Sequence, residues 1–116
     1  MFKNAIRLDP IPPGWMIALF GTSYFGAERY EDAIGPFKQL LVRAKKGDFN
    51  LVSSHECLAA TYAMLGQKDN ARAHIVELLR VDPNYTLEDA AKNAYFNNQA
   101  DTDRWINALR KAGLPE

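Results

Sequence analysis

A chain of 116 residues, 47% of them apolar and 24% charged, has the composition of one soluble globular domain with room for a real core. Fourteen basic and fourteen acidic residues cancel. This argues against a general nucleic-acid binder, which needs a basic surplus to displace counterions. The single cysteine cannot form an internal disulfide, so the expected compartment is a reducing cytoplasm.

In chain order, residues 2–8 read as a short helix with Phe2, Ala5 and Ile6 on one face. Asp9-Pro10 ends it, because the residue before a proline is pushed out of the α region. Pro12-Pro13 fixes the entry to a second helix over about 13–27, proline being favoured where no amide donor is needed. The apolar run from Gly14 to Ala27 includes Thr22 and Ser23 and falls short of the roughly 20 residues a membrane span requires. Lys3 and Arg7 ahead of that run suit an export signal, whereas Asp9 and the nearby prolines do not. A third helix is expected over about 30–45, with a kink at Gly35-Pro36 from the lost backbone bond. Val42 to Lys46 lengthen it, and Gly47-Asp48 turns the chain.

The stretch Cys57–Pro83 carries two helical stripes, Leu58/Ala59/Tyr62/Leu65 and Ala71/Ile75/Leu78/Leu79, separated at Gly66 and closed by Asp82-Pro83. It predicts an antiparallel hairpin that cannot bury its stripes alone. A degenerate copy lies upstream: Gly21, Tyr24, Ala33, Phe37 and Leu40 stand 38 positions before Ala59, Tyr62, Ala71, Ile75 and Leu78. The small members permit close helix crossings and the large ones fill the space around them. Beyond Pro83, Thr86-x-x-Asp89 reads as a capping box opening a helix to about Tyr95. Asn97 to Gln99 is turn-like. Asp101 or Thr102 can cap a last helix to Ala112, with Trp105, Ile106 and Leu109 on one stripe and Gly113 at its end.

The small–Tyr–Ala–Phe–Leu–Pro pattern resembles the tetratricopeptide repeat, a helix–turn–helix unit of about 34 residues that stacks into a solenoid. The resemblance covers residues 2–83, with 2–10 as the remnant of a preceding repeat, 13–46 and 50–83 as repeats, and 86–113 as a capping pair. It implies an all-α, right-handed superhelix of antiparallel helix pairs. The tail, including Asp103-Arg104-Trp105 and Leu109 to Pro115, resembles the C-terminus of bacterial proteins that carry such repeats behind a signalling domain. Class III adenylate and guanylate cyclases are the clearest of these. The cyclase domain itself has no counterpart in this chain.

In that family the first helix of each pair lines a concave peptide-binding surface. Carried over by position, Trp15, Ala18, Thr22 and Phe25 would line it in the first unit, and Glu56, Ala60, Ala63 and Met64 in the second. The family's basic carboxylate clamp is missing, because Ala18, Thr22, Glu56 and Ala60 occupy its places. The surface would suit an amphipathic or basic protein segment. Trp15 and Phe25 could equally be core residues beneath a neighbouring helix.

Chemistry-bearing residues are sparse. His55 and Cys57 face different sides of one helix and His74 lies on another, short of the three or four convergent ligands a metal needs. Ser53-Ser54-His55-Glu56 holds the residue types of a hydrolase triad, but successive helical residues diverge and no oxyanion loop accompanies them. No glycine cluster follows a strand to cradle phosphate. Glu31-Asp32 and Glu88-Asp89 suit helix starts, and Arg43/Lys45/Lys46 a helix end. Cys57 is expected half-buried and both histidines near the surface. The expectation is a non-catalytic protein-interaction module without cofactor, metal, nucleic acid or membrane. A homodimerisation unit, or a small-ligand domain with a pocket near Trp15 and Phe25, stands as the alternative.

Overall fold

The computed structural model describes residues 12–94 and 96–116, and six helices are found among them. They are α1 (Gly14–Gly26), α2 (Tyr30–Lys45), α3 (Leu51–Met64), α4 (Lys68–Val81), α5 (Leu87–Lys92) and α6 (Gln99–Ala112), with no strand among the described residues. The helix expected over residues 2–8 lies outside them. Consecutive helices from α1 to α4 pack on one another, and α6 packs on α3, α4 and α5.

The two hairpins turn by the same device. In the first, the Arg29 N–H donates to the Tyr24 carbonyl at 2.8 Å; in the second, the Gln67 N–H donates to the Tyr62 carbonyl at 2.9 Å. Each bond spans one residue in the left-handed region, Glu28 (φ 62°) and Gly66 (φ 76°), which stand 38 positions apart like the rest of the duplication. The bond satisfies a carbonyl the helix end leaves open. Glycine adopts that conformation without cost, whereas a glutamate is strained there.

Ala33, Ala59 and Ala71 are fully buried, and Gly21 is buried with them. A Cβ on Gly21 would collide with the Phe37 ring, so the α1–α2 crossing is set by the absence of one methyl group. Helix α2 runs unbroken past Pro36. The nine residues from Ser54 to Tyr62 in α3 are all buried. That is the signature of a helix enclosed on every side; here α2, α4 and α6 supply the walls. Cys57 is therefore core, not half-buried.

The C-terminal pair differs from expectation in its boundaries. Thr86 and Asp89 form the reciprocal capping box, but α5 ends at Lys92. Helix α6 begins earlier than Asp101 or Thr102 would allow, because Asn98 lies in extended backbone and its side chain accepts from the Asp101 N–H at 2.8 Å. Gly113 (φ 108°) then reverses the chain, and the buried Leu114 follows it.

Candidate functional site

The inner faces of α1 and α3 were expected to form an open groove. The chain's own α6 lies there instead. Trp105, fully buried, meets Phe25 edge-on with ring centroids 4.7 Å apart, and Phe96 closes on both rings at 5.7 and 5.4 Å. Tyr30 completes the cluster at 5.0 Å from Phe25. Such pairs add about 0.5–1.5 kcal/mol each beyond area burial. Arg104 fastens the start of α6 to the end of α1. Its guanidinium donates to the Gly26 carbonyl at 3.2 Å and to the Asp101 carboxylate, above the Phe25 ring.

At the centre of this seam is Glu56, 1% exposed. Its Oε1 accepts from the Tyr85 hydroxyl at 2.6 Å and its Oε2 from the Trp105 indole N–H at 2.8 Å. Burial pushes the Glu56 carboxyl above its usual range, and the two donated hydrogen bonds offset only part of that. The Tyr85 hydroxyl is pushed up in turn, first by burial and then by the neighbouring Glu56 charge. Among the described residues two neutral donors and no cation hold this carboxylate, so it ties α3, the segment before α5 and α6 into one unit.

The eight predicted groove residues thus separate. Phe25, Glu56 and Ala60 are buried, with Phe25 and Glu56 engaged by α6; Ala18 and Thr22 are also buried, and the Thr22 hydroxyl donates back to the Ala18 carbonyl at 3.0 Å. Ala63 and Met64 are half-buried. Only Trp15 is open, at 64% exposure. The open-groove expectation fails at its centre because Trp105 supplies the apolar bulk and the hydrogen-bond donor that a bound segment would bring. Around Phe25 the space is filled by the rings of Tyr30, Phe96 and Trp105. Tyr85 and Trp105 were missed as site residues. The available signal was an acidic residue, Glu56, on the inner face of a helix whose next residues are Cys, Leu, Ala and Ala.

A second polar pair lies on the other side of α3. His55 is buried, departing from its expected place near the surface, and its Nδ1 is 3.0 Å from Nδ1 of the half-buried His74. One imidazole must carry its proton on Nδ1 and the other on Nε2. Tyr62 stacks on His74 at 5.7 Å between centroids. Burial first, then the His55 charge and Lys45, lower the His74 pKa to about 4, while Glu77 opposes and Lys38 adds a small push down. His55 is lowered too, chiefly by burial. Among the described residues no three His, Cys, Asp or Glu side chains converge as metal ligands. Nor is any helix among them long and apolar enough to cross a membrane.

The triad-like run takes divergent partners. The Ser54 hydroxyl donates to the Asn50 carbonyl at 2.9 Å, His55 turns to His74, and Glu56 turns to Tyr85 and Trp105. Among the described residues the exposed large apolar side chains are Trp15 at 64% and Leu19 at 54%, one turn apart on α1, with Val42 on α2 and Val76 and Val81 on α4. Comparison with protein-family models, curated proteins and solved structures finds no match to the chain.

Proposed function

We propose that this chain is a non-catalytic, tetratricopeptide-type protein-interaction module. In this reading its helix pairs stack as a right-handed solenoid, capped by α5 and α6. The partner is a protein segment with an apolar face, and it docks on the Trp15–Leu19 side of α1. The carrying observation is that these two large side chains stand exposed on adjacent turns, beside a groove already filled by α6. A solvent-exposed indole one turn from an exposed leucine is the kind of surface that marks an interaction site. The tail's resemblance suggests a place behind a signalling domain, such as a nucleotide cyclase, in a cytoplasmic protein.

The test replaces Trp15 and Leu19 with serine. Both side chains are largely in water, so the thermal midpoint should hold while partner binding is lost. Loss of folding together with binding would defeat the assignment. A second reading, self-association through the same patch, is separated by mass in dilute solution: two chains that become one in the double variant would establish it.

A further inference from the structure

The internal duplication supplies a comparison for the histidine pair. Ile17 and Pro36 stand 38 positions before His55 and His74. Ile17 is buried and Pro36 half-buried, so the same places in the first hairpin are held by side chains without a titratable atom. Packing of such a hairpin therefore does not call for imidazoles there. The neighbouring tyrosine is common to both halves, Tyr24 and Tyr62, and in the second it stacks on His74. What the second hairpin adds is a hydrogen bond that depends on where a proton sits.

The ring centroids are 5.3 Å apart and the Nδ1 atoms 3.0 Å apart, a separation that puts both nitrogens between the rings, facing one another. In the neutral pair one ring donates its Nδ1–H and keeps a lone pair on Nε2; the other accepts at Nδ1 and carries its proton on Nε2. A first proton from solvent binds the free Nε2 of the donating ring. The bond survives and becomes charge-assisted, which strengthens it. A second proton finds only the accepting Nδ1. Its arrival abolishes the bond and sets two cations face to face. Lys38 and Lys45 of α2 bear on the pair with the same sign, and Glu77 of α4 with the opposite one. Between those lysines in sequence lie Leu40 and Ala44, the buried positions near the end of α2.

We propose that the His55–His74 pair is an acid-operated latch on α2: it takes up one proton with the helices in place, and a second proton releases the C-terminal half of α2 from the α3–α4 hairpin. The hairpin is the firmer side of this joint. Its turn is fixed by the Gln67–Tyr62 backbone bond and its crossing by the fully buried Ala59 and Ala71. Helix α2 is the side that brings two further positive charges. Neither Trp15 nor Leu19 takes part, so the latch stands apart from the proposed docking surface.

The test uses the full chain. It has no other histidines, so imidazole nitrogen shifts in an NMR titration report these two rings alone, and they should change in two separate steps as pH falls from neutral. Amide protection factors at Leu40, Ala44 and Lys45 should hold through the first step and drop roughly tenfold or more through the second, while those in α6 are kept. Lys45→Gln should leave both steps in place and shrink the drop. His74→Gln keeps a partner for His55 but takes no second proton, and should abolish it; His55→Ile, which installs the residue of the first hairpin, serves the same purpose if the glutamine variant does not fold. Four outcomes would overturn the proposal: one common step for both rings, protection lost with the first proton, protection lost in α6 together with α2, or a drop that persists in the variant without the pair.

Discussion

The indole N–H of Trp105 donates to the carboxylate of Glu56 across 2.8 Å and 49 residues of sequence. The Tyr85 hydroxyl donates to the other oxygen, so one acid is the shared acceptor of two buried donors. Glu56→Ala leaves both without an acceptor in a dry site, at about 1–3 kcal/mol for each orphaned group. We expect a loss of about 2–5 kcal/mol in urea unfolding. Glu56→Gln should behave differently, because its amide oxygen can accept from Trp105 and its NH2 can donate to the Tyr85 oxygen. The folded acid titrates above the usual value of 4.5, so the stability it contributes is complete at low pH and is lost as pH rises through its folded value. The glutamine variant should therefore gain on the wild type with rising pH, and a parallel pair of curves would contradict this.

Gly21 and Phe37 define the first crossing. Gly21→Ala should cost about 1–3 kcal/mol by overpacking. Phe37→Leu, destabilising by itself, should cost less in the Gly21→Ala background, since the methyl group then has room. A double-mutant cycle measures this coupling, and strict additivity would mean the two residues do not share the space.

Glu28 holds the left-handed position that Gly66 fills in the second hairpin. A non-glycine residue there costs about 1–2 kcal/mol, of which the greater unfolded freedom of glycine takes back part. The ion pair from Glu28 to Arg104 is long, at 3.8 Å, and the Glu28 side chain is exposed, so its loss matters little. Glu28→Gly is expected to stabilise by about 0.5–1 kcal/mol, read as a higher denaturant midpoint.

The His55–His74 pair makes stability depend on acid. Burial holds both imidazoles below the ordinary value of 6.5, His74 at about 4. Unfolding therefore takes up protons between those values. The contribution is complete above about pH 6.5 and is lost as pH falls towards 4. His74→Gln keeps a hydrogen-bond partner for His55 and should flatten this limb of the stability curve. An unchanged acid limb would show that the pair is not its source.

Periodicity and turn chemistry carried the helix pairs, because Gly66, Asp82-Pro83 and the Thr86/Asp89 box act through neighbours in sequence. The small positions at Gly21, Ala33, Ala59 and Ala71 were legible for the same reason, as a pattern repeated at one offset. The fate of the inner face was not. Whether α6 stands beside the hairpins or lies across them depends on where Trp105 finds an acceptor, and Glu56 is 49 residues away. Asn98, Asp101 and Thr102 can all cap a helix, and only the extended backbone at Asn98 selected among them. The histidine contact joins two helices and leaves no trace in either one's spacing.

Because the partners of Glu56 both lie downstream, the order of synthesis matters. A ribosome that has released α1 through α4 has made a pair of hairpins whose inner wall is still wet, with a carboxylate still bound to water. The dry state forms only after Trp105 emerges and expels that water. Until then the nascent chain presents the aliphatic and aromatic surface of Phe25 and Ala60 to whatever guards exit from the tunnel.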